Sequence, residues 1–231
     1  MKPLFVANWK ANKTVKEAVD FAQKFGQEIA NSSSAAILCV PFPYLYTLFE
    51  LTDEYNFKVG AQNVSRYDNG AYTGEVTAQM LQGIASHCIV GHSERWKFFG
   101  ENAQTVAQKV EKLLSNGITP ILCVSDQRQL ETYLSSEAIA KSVEKIIFVH
   151  EPPGAISGGK DYHPQEPERA NEEVKTIKEK IGQDVVVLYG GSVNSENITG
   201  FLEQGQINGF LVGQASLSVD GFAALVSTAS R

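Results

Sequence analysis

A lysine, a histidine and a glutamate stand at the ends of separate apolar runs in this sequence, as Lys10, His92 and Glu151. A carboxylate opposite a neutral imidazole and an ammonium suits proton abstraction next to a carbonyl. The carboxylate takes the proton, and the two donors stabilise the negative oxygen that results. Two further run ends carry glycine-rich turns, Gly190-Gly191-Ser192 and Gly213-Gln214. Such turns expose backbone N–H groups, and ahead of a helix N-terminus they suit a phosphate. Asn8 precedes Lys10 by two residues, and Ser93, Glu94 and Arg95 follow His92. The sequence has no dinucleotide fingerprint and no metal-ligand spacing, and this chemistry needs no cofactor. Taken singly, each residue has a plain structural reading. Lys10 reads as a solvated loop lysine, His92 as a core histidine, Glu151 as a strand-end acceptor, and Gly190-Gly191 as a tight turn. Their joint position after the first, fourth, sixth, seventh and eighth runs singles them out.

Eight short apolar runs must position these groups: Leu4–Trp9, Ala36–Val40, Lys58–Ala61, Cys88–Gly91, Pro120–Val124, Ile146–His150, Val185–Tyr189 and Gly209–Gly213. Continuous rather than alternating apolar runs suit strands buried on both faces of a parallel sheet. The segments between them carry helical periodicity. Thr14 and Glu17 have capping-box spacing, and Val15, Ala18, Val19 and Ala22 then share a face. Val106, Val110, Leu113 and Leu114 do the same after the fourth run, and Ser218 is placed to cap the last helix. Eight strand–helix units predict a closed (β/α)8 barrel over residues 1–231 as a single domain, with an open doubly wound sheet as the alternative. A closed barrel brings all the run ends to one rim.

The bulk properties set limits. The chain has 231 residues, a net charge of -6 and 43% hydrophobic content, the composition of an ordinary globular protein. The acidic balance argues against nucleic acid as a partner, although a few local cations suffice for a small anionic substrate. Cys39, Cys88 and Cys123 lie in apolar runs with no Cys-x-x-Cys pair, which predicts buried, reduced thiols. No run has the length of a membrane helix, and the first apolar stretch is too short for a signal-peptide core. The expectation is a complete cytoplasmic protein with no membrane partner.

Along nearly its whole length the sequence resembles the triosephosphate isomerase family. The matching segments are Ala7-Asn8-Trp9-Lys10 with Asn12, Gly60-Ala61-Gln62-Asn63, Gly70-Ala71-Tyr72-Thr73-Gly74-Glu75, Val90-Gly91-His92-Ser93-Glu94-Arg95, Glu151-Pro152, Tyr189-Gly190-Gly191-Ser192-Val193 and Gly209-Phe210-Leu211-Val212-Gly213. The resemblance implies interconversion of dihydroxyacetone phosphate and glyceraldehyde 3-phosphate, a step of glycolysis and gluconeogenesis, without a cofactor. It implies Glu151 as the shuttling base and His92 as a neutral electrophile. Lys10 would offset substrate charge, Asn8 would orient the substrate, and Glu94 would pair with Lys10. Residues 152–159 would form a closing lid. Phosphate contacts carry over to the backbone of Ser157, Ser192, Gly213 and Gln214. The loop Gly70–Glu75 resembles one that inserts into a partner subunit, which implies a homodimer. Thr73 would reach the neighbour's Asn8 and Lys10, with Glu75 and Arg95 also at the interface.

The sequence departs from the family pattern at several points. Gly154 stands where a Trp is usual, Ser157 where Gly is usual, and Gln214 replaces the second Gly of the eighth-strand turn. A lid with altered kinetics follows, and a strain of about 1 kcal/mol at Gln214 if that position has positive φ. Asp126 and Ser125 replace the usual Glu and Gly, and Trp96 stands where a second basic residue is common. Two other readings share the residues. One is another phosphosugar barrel, such as an epimerase or aldolase. The other is a catalytically impaired barrel that binds phosphosugars without turnover.

Overall fold

The computed structural model describes residues 2–155 and 165–229. Its eight strands are β1 (Leu4–Asn8), β2 (Ala35–Val40), β3 (Lys58–Ala61), β4 (His87–Val90), β5 (Thr119–Val124), β6 (Ile147–His150), β7 (Val187–Tyr189) and β8 (Gly209–Val212). Each pairs in parallel with its neighbours in sequence, and β1 closes on β8 to form a barrel. The helices are α1 (Val15–Glu28), α2 (Leu45–Phe49), α3 (Ala78–Leu81), α4 (Ser93–Phe99), α5 (Ala103–Ser115), α6 (Gln127–Leu134), α7 (Glu137–Ala140), α8 (Pro167–Ile181), α9 (Ile198–Leu202) and α10 (Val219–Thr228).

The two-residue period of a strand sorts the core into two layers. Val6, Ile37, Cys39, Ile89, Ile121, Cys123, Ile147, Val149, Leu188 and Leu211 form one buried cluster, the barrel interior. Phe5, Ala7, Leu38, Val90, Leu122 and Phe148 belong to a second cluster shared with the helices. Extending the inner row by two residues gives Asn8 after Val6, Ser125 after Cys123, Glu151 after Val149, Gly190 after Leu188 and Gly213 after Leu211. Strand periodicity alone therefore delivers these residues to the mouth at the C-terminal ends of the strands.

The apolar runs coincide with the strands, their ends differing by no more than two residues. β1 stops at Asn8 rather than Trp9 because Lys10 turns into left-handed backbone, with φ 52°. The capping box of Thr14 and Glu17 is formed, and Ser218 caps α10 by accepting from Gly221 N at 3.1 Å. The face of α1 differs from the expected one. Ala18, Phe21, Ala22 and Phe25 are buried, whereas Val15, in the first turn, is 48% exposed. On α5, Leu114 only borders the core, and the fourth buried position is Lys109. The three cysteines are buried and free.

At the opposite end of the barrel His87 opens β4, its Nδ1 2.7 Å from Ser86 Oγ. Burial, helped by the nearby Lys58, lowers the His87 pKa to about 4. The unfolded chain binds this proton near pH 6.5 and the folded chain only near 4. Stability is therefore complete above the first value and is lost as pH falls towards the second, by about 3 kcal/mol. Urea unfolding between pH 7 and pH 4 should show this slope, and His87→Gln should flatten it. An unchanged slope in the variant would place the acid sensitivity elsewhere.

Candidate active site

Glu151 follows β6 directly, and its backbone N–H donates to Val124 O at 2.8 Å. The side chain is almost wholly buried. One carboxylate oxygen lies 3.2 Å from His92 Nε2, and the other accepts from Ser93 N at 3.2 Å. Gly190 makes room for it, since a Cβ there would stand 2.6 Å from Val149 Cγ1 and 2.9 Å from Glu151 Cγ. Cys123 sits behind. Burial, and then the Glu151 carboxylate, hold its thiol well above the ordinary range, so it stays a neutral S–H.

His92 is the N-cap of α4. Its Nδ1 accepts from Glu94 N at 3.2 Å, so the ring proton of the imidazole falls to Nε2, the nitrogen that faces Glu151. The cap thus fixes a neutral tautomer with its N–H pointed into the barrel mouth.

Lys10 reaches across the rim to Glu94, at 2.7 Å from Oε1. Asn8 Oδ1 accepts from Lys10 N at 3.1 Å, which ties the two residues into one turn. The lysine stem passes over Gly213, where a Cβ would stand 3.6 Å from Lys10 Cε. A cavity of about 330 Å³ is lined by Asn8, Lys10, Gln62, His92 and Glu94 among others. A second space, of about 380 Å³, opens beside Glu151, between Ser93, Trp96, Ser125 and Gln129.

The structure places the remaining sequence-derived residues as follows. Gly213 follows β8 and caps a short 3₁₀ turn that Gln214 opens. Among the described residues the non-glycine positions with positive φ are Lys10 and Lys13, so Gln214 carries no such strain, and its side chain is exposed. Ser192 stands beside the mouth, but its N–H donates to Ala155 O at 3.0 Å and its hydroxyl to the same oxygen at 2.9 Å. Ser157 lies outside the described residues, as do 156–159 of the expected lid. Gly154 has positive φ, 85°, with no atom within 4 Å of where its Cβ would be. Room is therefore available there, but the backbone suits glycine.

Thr73 and Glu75 line neither cavity. They sit exposed on a projecting loop held by Ser65 N to Val76 O at 2.8 Å and by stacking of Tyr67 on Tyr72. Arg95 is engaged within the chain, where its Nε and Lys109 Nζ both bond Glu101 Oε1. Trp96 packs edge-on against Tyr133, so this position carries aromatic packing where a second basic residue is common in the family pattern.

Gln62, quoted only within a matching segment, and Gln129 were given no role from the sequence. Gln62 donates to Cys39 O at 2.9 Å at the rim. Gln129 accepts from Ser125 N at 2.6 Å. Its signal was its place three residues after Asp126, which caps α6 by accepting from Gln129 N. Among the described residues no group of three or more His, Cys, Asp and Glu could hold a metal ion, and no helix is long and apolar enough to cross a membrane.

The family model described as Triosephosphate isomerase matches residues 3–229. The triosephosphate isomerase of Dehalococcoides mccartyi is 36% identical, the alignment covering 100% of this chain and 98% of that one. That of Aquifex aeolicus is 37% identical, with 98% and 99% covered. The crystal structure of triosephosphate isomerase from Bartonella henselae superposes with a TM-score of 0.84 at 29% identity, covering 99% of this chain and 100% of that one.

Proposed function

Since the chain belongs to the triosephosphate isomerase family, an isomerase family, we propose that Glu151, His92 and Lys10 carry out the interconversion of dihydroxyacetone phosphate and glyceraldehyde 3-phosphate at the barrel mouth. Glu151 takes a proton from C1 of the ketone. The C–H electron pair forms the C1–C2 double bond, and the carbonyl pair moves onto O2, giving an enediolate. His92 Nε2–H and the Lys10 ammonium stabilise that oxygen. A proton then passes from O1 to O2 by way of His92, and Glu151 returns its proton to C2, leaving the aldehyde at C1. The observation that carries this reading is the pairing of Glu151 with a histidine whose Nδ1 is already occupied as a helix cap. Asn8 orients the substrate, and Glu94 holds Lys10. The backbone at Ser157, Ser192, Gly213 and Gln214 receives the phosphate, once Ser192 N–H has left Ala155. The lid over 152–159 excludes water from the enediolate.

The working form is a homodimer in which the loop bearing Thr73 and Glu75 enters the partner beside Lys10, with Arg95 at the rim. Exposed aromatics support this. Phe98 and Phe99, adjacent on α4, are each 65% exposed, and Tyr72, beside Thr73, is 43% exposed. The free, buried thiols fit a cytoplasmic setting. One experiment tests function and assembly together. Turnover of dihydroxyacetone phosphate in D2O is followed across a dilution series, with sedimentation in parallel. Turnover with deuterium entering the product, falling per chain as the dimer dissociates, is the expected result. Absence of turnover in the dimer would sink the catalytic assignment.

A further inference from the structure

The loop between β1 and α1 contains both non-glycine residues with positive φ among those described, Lys10 at 52° and Lys13 at 73°. Left-handed backbone costs an L-residue about 1 kcal/mol. Such strain persists only where surrounding contacts impose it, and it gathers at functional sites. Four contacts at Lys13 impose it here. Its Nζ donates to Leu217 O at 2.7 Å, just beyond the Gly213-Gln214 turn. The same ammonium lies 5.0 Å from the Trp9 ring centroid and 4.5 Å from that of Phe21, within cation–π range. Its carbonyl accepts from Tyr44 Oη, on the segment after β2. Within the loop, Asn12 Nδ2 also donates to Trp9 O at 2.7 Å. Lys13 thus joins the loops after β1, β2 and β8, while Lys10, three residues earlier, extends over Gly213 to Glu94.

We infer that Lys13 is a positioning residue for Lys10, clamping the loop after β1 in the left-handed form that aims the Lys10 ammonium at the phosphosugar. The inference rests on the role proposed for Lys10. Lys13 is not among the residues that line the barrel-mouth cavity, so it acts through the loop. Its half-buried ammonium is pushed down by burial and raised by Glu17, the acidic neighbour on α1.

The test is a double-mutant cycle on the full-length enzyme. Lys13→Met keeps an apolar stem on Trp9 and Phe21 but removes the ammonium. Coupling between neighbours in one loop commonly spans a few-fold to a hundredfold, so the expected effect is about a tenfold rise in KM for dihydroxyacetone phosphate, larger than the fall in kcat. Lys13→Arg keeps a donor and a cation and should hold KM within about threefold of the parent. In a Lys10→Met background, adding Lys13→Met should change KM by less than about twofold, because the group it aims is gone. Tyr44→Phe releases the same loop from the other side, should raise KM in the same direction, and serves if Lys13→Met does not fold. An unchanged KM with a lowered urea midpoint in Lys13→Met would reduce Lys13 to a structural residue and overturn the inference. An equal rise in both backgrounds would also overturn it. If Lys10→Met alone leaves KM and kcat at the parent values, the failure lies in the Lys10 assignment beneath it, and the inference falls with that assignment.

Discussion

Glu151→Gln lowers turnover of dihydroxyacetone phosphate by about a thousandfold or more and moves KM by less than about threefold. The side chain is buried and receives two N–H donors, His92 Nε2–H and Ser93 N–H. A glutamine of the same shape can accept only one of them, and its amide NH2 must face the other. The expected cost in stability is therefore about 1–3 kcal/mol, small beside the loss of the proposed base. Glu151→Asp separates the two effects. It keeps both oxygens but withdraws them by one methylene, and a displacement of that order costs about a hundredfold. A coupled assay together with deuterium wash-in at the substrate carbon checks both variants. If Glu151→Gln keeps more than about a tenth of the parent turnover, another group is the base.

His92→Asn lowers kcat by about a hundred- to a thousandfold, the usual loss on removing one donor to a developing oxyanion. Its virtue is that the fold should not notice. His92 serves α4 through the Nδ1 acceptor, and Asn is among the best N-cap residues, so its Oδ1 can accept from Glu94 N in the same way. What disappears is the Nε2–H that faces Glu151, the proposed donor to the substrate oxygen. Circular dichroism and urea unfolding should match the parent to within about 0.5 kcal/mol. A large loss of stability with kcat preserved would mean that the ring matters as core packing.

Much of this was legible beforehand, for identifiable reasons. The barrel could be read because parallel strands buried on both faces leave unbroken apolar runs, and their ends are the site. Glu151 and Asn8 lie on the inner row by simple alternation. The tautomer of His92 was not legible, since it depends on the first turn of α4 bonding back to its own cap. Nor was the engagement of Ser192, which pairs residues 37 apart in sequence. Gly190 looked like one half of a tight turn that uses positive φ, whereas its φ is ordinary and its Cβ would stand against Glu151. Gln214 would have been strained only at positive φ, and it is not, because it opens the 3₁₀ turn that follows Gly213. The face of α1 shifted because the helix packs with Phe21 and Phe25, which stack towards Trp9, Phe57 and Phe222, and this ring cluster outweighs Val15.

The double hold of Ser192 on the Ala155 carbonyl has a thermodynamic meaning. A phosphate that takes the Ser192 N–H binds only molecules in which that hold has been released, so its apparent dissociation constant is the intrinsic one divided by the released fraction. The hold and the ligand compete for one donor, and by linkage each weakens the other to the same degree. A change that loosens Ala155 without touching the barrel mouth would therefore tighten the binding of phosphate-bearing ligands. Because only released molecules bind, the gain would appear in the rate of capture rather than in the rate of escape.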